Sequence, residues 1–321
     1  LRGQGDLPQS GDAMGAQAGG RAAMIDEAVL DFSAGALTLL NAILAVVMFS
    51  IAIDLKPRDF RALAQSPKPL MVGLMSQFLL LPALTFGLVL VAQPPASVAL
   101  GLMLVAACPG GNISNFITHR AGGNAALSVS MTAFATVGAI VLTPLNIAFW
   151  GGLYAPSAAI LRATKIDPVS IAITVGLMLV LPLVLGVTLN ARRPDVTAKL
   201  RKPLQWLSMA IFVGFVALAL AANWPLFISF AGGIAGLVIV HNALGLGGGY
   251  AIATLAGLSP FDRRAVTIET GIQNSGLGLV LIFGFFGGLG GMAIVAAFWG
   301  IWHAVSGLAL AALMSRRDVT P

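Results

Sequence analysis

The sequence predicts an all-α polytopic membrane protein. Only 9% of its 321 residues are charged, against 58% hydrophobic, whereas a soluble protein is roughly a quarter charged. Its uncharged stretches reach the roughly 20 residues that a helix needs to cross a bilayer. No sustained alternation of apolar and polar residues runs through them, which argues against an outer-membrane barrel. A single cysteine excludes a secreted disulfide scaffold, and the scarcity of polar sequence excludes a largely disordered chain.

Residues 1–31 are rich in Gly, Ala and Gln, carry Asp6, Asp12, Asp26, Glu27 and Asp31, and lack a signal-peptide core. They are expected to form a disordered N-terminal tail. Nine apolar runs follow: Phe32–Ile53, Pro69–Ala92, Ser97–Thr118, Asn124–Trp150, Pro168–Asn190, Pro203–Ala222, Pro225–Gly257, Val266–Gly287 and Gly288–Met314. Residues 32–315 are therefore expected to form one transmembrane domain, and 316–321 a short C-terminal tail.

The bases sort by connection. Lys56, Arg58, Arg61 and Lys68 follow the first run, Arg120 the third, and Arg192, Arg193, Lys199, Arg201 and Lys202 the fifth. Arg263 and Arg264 follow the seventh run, Arg316 and Arg317 the ninth. Only Arg2, Arg21, Arg162 and Lys165 fall on the other side. The positive-inside rule then puts the N-terminus outside and the C-terminus in the cytoplasm of an inner-membrane, multi-pass protein. Because the bases sit between apolar runs, the net charge of +6 does not point to nucleic acid.

Two runs are interrupted. The third contains Pro109-Gly110-Gly111-Asn112-Ile113-Ser114-Asn115, and the eighth Glu269-Thr270-Gly271-Ile272-Gln273-Asn274-Ser275-Gly276. Proline removes a backbone donor and glycine loosens the helix. In lipid the freed groups survive only where protein or a water-filled cavity satisfies them. Broken spans in corresponding positions of two halves point to an inverted-repeat secondary transporter. Here the break falls third of four in a first repeat (32–161) and fourth of five in a second (168–315). The parity implies that the first helix of the first repeat is missing. Setting Gly110 against Gly271 also matches Asn112 with Gln273 and Ser114 with Ser275.

Eleven of the 12 acids lie in the tail or in connections; Glu269 alone lies within a run. Intramembrane carboxylates are costly and mark ion, proton or substrate paths. Arg264, five residues away, does not share its helical face, whereas Gln273 at i+4 does. Gln77 is a second isolated polar residue. Ser128, Thr132 and Thr136 form a hydroxyl stripe, for which the ordinary role is bonding to the preceding turn. His241, His303 and Cys108 read as structural. Enzyme motifs, including a Walker loop, are absent, so the energy source is an ion gradient. Oxygen donors suit Na⁺ or protons rather than a transition metal.

Cys108-Pro-Gly-Gly-Asn-Ile-Ser-Asn115, with Gly123-Asn-Ala-Ala-Leu-Ser-Val-Ser-Met-Thr132 after it, resembles a segment of the bile acid:sodium symporter family. Glu269-Thr-Gly-Ile-Gln-Asn274 resembles that family's second signature. The resemblance implies core and panel domains with two crossing broken helices, and sodium-coupled symport of an organic anion by alternating access. It implies a first Na⁺ held by Ser114, Asn115, Thr132 and Glu269. A second would be held by Gln77, Glu269 and Gln273 with main-chain oxygens of Thr270 and Ile272. Asn112, Asn115 and Asn274 would face the substrate, a bile-acid-like steroid or a small carboxylate, near half-helix N-termini that favour an anion. Ala133 stands where members often carry a hydroxyl, leaving the first site one ligand poorer. The alternative on the same scaffold is proton coupling through Glu269. Nothing in the sequence requires an oligomer.

Overall fold

The computed structural model describes residues 24–28, 34–53, 67–111, 113–165, 167–222 and 224–316. Every predicted run coincides with a helix or a pair of half-helices. The helices are α1 (Ala34–Ala52), α2 (Pro67–Ala92), α3 (Ala96–Ala107), α4 (Ile113–Arg120), α5 (Ala125–Leu153) and α6 (Ala155–Ala163). After them come α7 (Pro168–Arg192), α8 (Pro194–Ala222), α9 (Trp224–Leu255), α10 (Pro260–Gly271), α11 (Ser275–Phe285) and α12 (Gly290–Met314). Among the described residues, α2, α5, α7, α12 and the Gly232–Leu255 part of α9 are long and apolar enough to cross a membrane. Thus a multi-pass helical protein stands, while the interrupted third and eighth runs are pairs of shorter helices. The helix bounds differ from the apolar runs at charged ends. Ser259 caps α10 by accepting from the Asp262 N–H, so Arg263 and Arg264, expected in a connection, lie in its first turns.

Two helices widen where proline follows. Ser76–Leu80 in α2 and Gly176–Val180 in α7 are π-helical, and each leads into Leu-Pro, at Pro82 and Pro182. Proline cannot donate to the carbonyl four residues back and crowds it. The ladder shifts to i→i+5 instead, from Leu81 N–H to Ser76 O and from Leu181 N–H to Gly176 O. In α2 this local change of phase accompanies the burial of Ser76 and Gln77.

Helices that are apolar all round belong inside. In α3 every residue from Ser97 to Ala107 is buried, as is α11 from Ser275 to Ile282. These half-helices share their apolar core with α12 and the middle of α5. α1 packs against α7 and α8, while α9 packs on α10 and α12.

The loops gather at two ends. Asn124 N–H donates to Phe261 O at 3.0 Å, and Arg264 donates to Ala121 O at 2.6 Å. At the opposite end Tyr154 Oη donates to Pro94 O. The same end receives residues 24–28, which form a helical turn docked on the helix ends rather than an unstructured stretch of tail. Ile25 is buried, Asp26 accepts from the N–H groups of Ala96 (3.1 Å) and Ser97 (2.8 Å), and Gly290 N–H donates to Ala28 O at 2.7 Å. A carboxylate on the orphan donors of a helix N-terminus acts as its cap. Asp26→Ala is expected to cost about 1 kcal/mol, read as a lower melting temperature of purified protein, with Asp26→Asn close to wild type.

Candidate cation site at the crossing of the two breaks

Each interruption satisfies the other. α3 ends at Cys108, where the chain turns extended, and α10 ends at the extended Ile272. The two strands run antiparallel: Gly111 N–H donates to Ile272 O at 2.7 Å, and Asn274 N–H to Pro109 O at 2.9 Å. Backbone groups that lipid could not solvate are thereby paired with protein. Gly110 lies opposite Gln273, and the pairing is centred on Gly111 and Ile272, which the Gly110–Gly271 alignment of the two motifs makes equivalent positions. Close approach requires glycine here. A Cβ on Gly111 would lie 2.7 Å from Gln273 O.

Glu269, near the end of α10, points into this crossing and is fully buried. Its Oε1 accepts from the hydroxyls of Ser114 on α4 and Ser128 on α5. Thr132 Oγ1 lies 3.2 Å from Oε1 and 3.3 Å from Oε2. From the π-helical turn of α2, Gln77 Nε2 donates to the Glu269 main-chain oxygen at 3.0 Å and reaches Oε2 at 3.4 Å. Asn115 Oδ1 accepts from Ser128 at 2.8 Å and Thr132 at 3.3 Å. Ser114, Asn115, Thr132 and Glu269, read from the sequence as one group, are thus brought together around one carboxylate.

Ser128, read from the sequence only as part of a hydroxyl stripe, joins this group. Stripes of hydroxyls usually bond to the preceding turn, and Thr136 does so, donating to Thr132 O at 2.7 Å. Ser128 instead spans to Asn115 and Glu269. The signal available was its place one turn before Thr132. Ala133, by contrast, packs with Ala52 and Leu183, on the side of α1 and α7.

The second expected group is assembled differently. Gln273 Nε2 donates to Thr270 O at 2.8 Å, and Thr270 Oγ1 bonds Ser76 Oγ at 2.8 Å and Val266 O at 2.8 Å. Ile272 O is engaged by Gly111. Two acceptors are left over: Gln77 Oε1 and Gln273 Oε1 are buried with no hydrogen-bond partner. An orphaned buried acceptor is costly, and a cation is one way to satisfy it. Asn242 Nδ2 supports the break from behind, donating to Gly271 O at 2.8 Å, and is held in turn by Ser306.

Of the residues expected to face substrate, Asn115 is turned toward the hydroxyls. Asn274 caps α11 through its Oδ1, accepting from Leu277 N–H at 3.0 Å. Asn112 lies outside the described residues. Arg264 is held at Ala121 O and Gly122 O, away from the crossing. His241 and His303 pack on the Trp299 ring, and His241 Nε2 lies 2.6 Å from Thr85 Oγ1, a buried packing role. The side chains at the crossing offer hydroxyl, amide and carboxylate oxygens, hard donors that suit an alkali cation. Hydroxyls that donate to the carboxylate can rotate to offer lone pairs instead.

Residues 41–230 match the profile of the Sodium Bile acid symporter family. The chain is 31% identical to YocS, an uncharacterized sodium-dependent transporter of Bacillus subtilis (strain 168), over 90% of its own length and 88% of that protein. It is 31% identical to BASS2, a probable chloroplastic sodium/metabolite cotransporter of Oryza sativa subsp. japonica, over 74% of the chain and 55% of that protein. It is 29% identical to human sodium/bile acid cotransporter 4, over 73% of the chain and 53% of the relative. The chain therefore spans most of the Bacillus protein and about half of the other two.

Proposed function

Since the chain belongs to the sodium bile acid symporter family, transporters rather than enzymes, we propose that it couples Na⁺ entry to uptake of an organic anion by alternating access. The observation that carries this reading is the buried Glu269 carboxylate at the crossing, ringed by Ser114, Ser128, Thr132 and Gln77. One Na⁺ sits among Ser114, Asn115, Ser128, Thr132 and Glu269. A second lies beside the unpartnered oxygens of Gln77 and Gln273, with Glu269 and the main-chain oxygens of Thr270 and Ile272. The substrate, a steroid-like or small carboxylate anion, approaches near Asn112, Asn115 and Asn274. α1, α7 and α8 form a panel against which the remaining helices move as a core, in a nine-span chain with its C-terminus in the cytoplasm. The loop groupings at the two ends of the molecule support that alternation.

A tenfold Na⁺ gradient supplies about 1.4 kcal/mol per ion, and one net charge crossing 100 mV about 2.3 kcal/mol. Two Na⁺ with a monoanion gain roughly 5 kcal/mol, which supports about thousandfold accumulation. Proteoliposomes loaded without Na⁺ should take up a carboxylate only under an inward Na⁺ gradient; equal uptake without Na⁺ overturns the proposal. Gln273→Ala should weaken the apparent Na⁺ affinity about tenfold, the equivalent of one lost ion–oxygen contact of about 1.4 kcal/mol. Titrating Na⁺ against melting temperature measures it. The partners of Glu269 are neutral hydroxyls and amides, so a proton would also neutralise it. Uptake in Na⁺-free buffer that collapses with a protonophore would establish proton coupling instead.

A further inference from the structure

Away from the crossing, a cavity of about 220 Å³ opens where α5, α6 and α7 meet. Its walls include Pro144, Ile147 and Gly152 of α5, Leu161 of α6 and Ile171 of α7, and Arg162 stands with them. The lining is apolar with one permanent charge. Arg162 is exposed, and the other lining residues are apolar. The surrounding faces are also apolar and exposed: Leu145 and Phe149 on α5, Val169 and Ile173 on α7. In a membrane protein such faces meet acyl chains. Trp150 and Tyr154, partly buried beside the cavity's end of α5, are the residue types that mark the level of the headgroups.

Arg162 and Lys165 are the two bases in a short connection that depart from the charge asymmetry of the chain. They follow α5, at the end where Tyr154 meets Pro94, opposite the Arg263–Arg264 end. Placing bases there opposes the orientation that the other loops favour, so a local use for the charge is called for. Pockets that enclose a drug-sized molecule measure about 300–1,000 Å³; this one has room for part of a single acyl chain.

We propose that the α5–α6–α7 cavity is a binding site for an anionic phospholipid, whose headgroup phosphate pairs with Arg162 and whose acyl chain fills the space between Pro144, Ile147, Gly152 and Ile171. Because α5 also carries Ser128 and Thr132, occupancy of this site bears on the helix that frames Glu269. The proposal is independent of the coupling ion.

Gly152 provides the test, since a Cβ there meets nothing within 4 Å. Gly152→Leu fills the cavity from one wall, and Arg162→Gln removes the charge at an exposed position. Melting of the detergent-purified full chain is followed with added phosphatidylglycerol, phosphatidylcholine or oleate. Phosphatidylglycerol should raise the melting temperature of the wild type more than phosphatidylcholine does. Gly152→Leu should lose most of that shift, and Arg162→Gln should respond to the two lipids alike, with both variants melting near wild type when no lipid is added. Equal stabilisation by the two lipids in the wild type, or wild-type responses in both variants, would overturn the site. Stabilisation by oleate without an effect of phosphatidylglycerol would overturn the lipid assignment and make a free carboxylate the ligand.

Discussion

Glu269→Gln is expected to abolish Na⁺-driven uptake while leaving a folded, membrane-inserted protein. The substitution keeps the shape of the side chain and its capacity for hydrogen bonds but removes the negative charge. Ser114, Ser128 and Thr132 can each accept as well as donate, and the Gln77 amide can turn to offer its oxygen. Local structure therefore adapts. A cation in the same place loses its counter-charge in a setting where water does not replace it. Deleting one partner of a buried, hydrogen-bonded charge pair costs on the order of 2–5 kcal/mol, which lowers Na⁺ affinity at least about thirtyfold. Melting with and without Na⁺ should show a protein of near-normal stability that no longer responds to the ion. Uptake at the wild-type rate under the same gradient would remove Glu269 from the mechanism. Glu269→Asp makes a useful companion: it keeps the charge but draws it back by one methylene, so coupling should weaken rather than vanish.

The second large effect is expected at Gly110. A Cβ there would lie 2.5 Å from Glu269 Oε2 and 2.7 Å from Gln77 Nε2, inside the radius of both. Gly110→Ala must displace the carboxylate or the amide, both of them fully buried. Overpacking of this kind typically costs 1–3 kcal/mol, and the proposed coupling site bears it directly. Loss of Na⁺-dependent uptake together with loss of Na⁺-dependent stabilisation is the expected pair of results, and intact coupling would contradict the geometry. Gly87→Ala in α2 is the control, because a Cβ there meets nothing within 4 Å. On helix propensity alone it should be neutral or slightly stabilising.

Much of this is legible in the sequence. Glu269 stood out because every other acid lies in the tail or in a connection, and Pro109-Gly110-Gly111 announced a break because no continuous helix accommodates it comfortably. The π-helical turns could have been suspected from Leu81-Pro82 and Leu181-Pro182, since proline strips a carbonyl of its partner wherever it falls within a helix. Other features were hidden for physical reasons. Ser128 looks like any helical serine, and only the tertiary approach of α10 decides that its hydroxyl serves Glu269 instead of its own backbone. The register of the crossing follows from main-chain pairing, which side-chain identity encodes weakly. Aligning Gly110 with Gly271 makes Gly111 and Ile272 equivalent, but it does not show that these two positions meet at the centre of the pairing. The docking of residues 24–28 was missed because this short segment ends a Gly-, Ala- and Gln-rich stretch with no long apolar run. Their hold comes from a single buried Ile25 and from bonds to the main chain of α3 and α12.

The paired breaks carry a mechanical consequence. Drawing the two interruptions apart would strand Gly111 N–H, Ile272 O, Asn274 N–H and Pro109 O in a medium that cannot hydrate them. Each such group costs several kcal/mol, so the four together exceed the roughly 5 kcal/mol proposed to drive one transport cycle. The knot between the half-helices is therefore too expensive to untie at every turnover. In the proposed cycle the knot is carried intact past its surroundings or the surroundings move past it. Helices that do not take part in the knot, α1, α7 and α8 among them, are then the natural place to look for displacement.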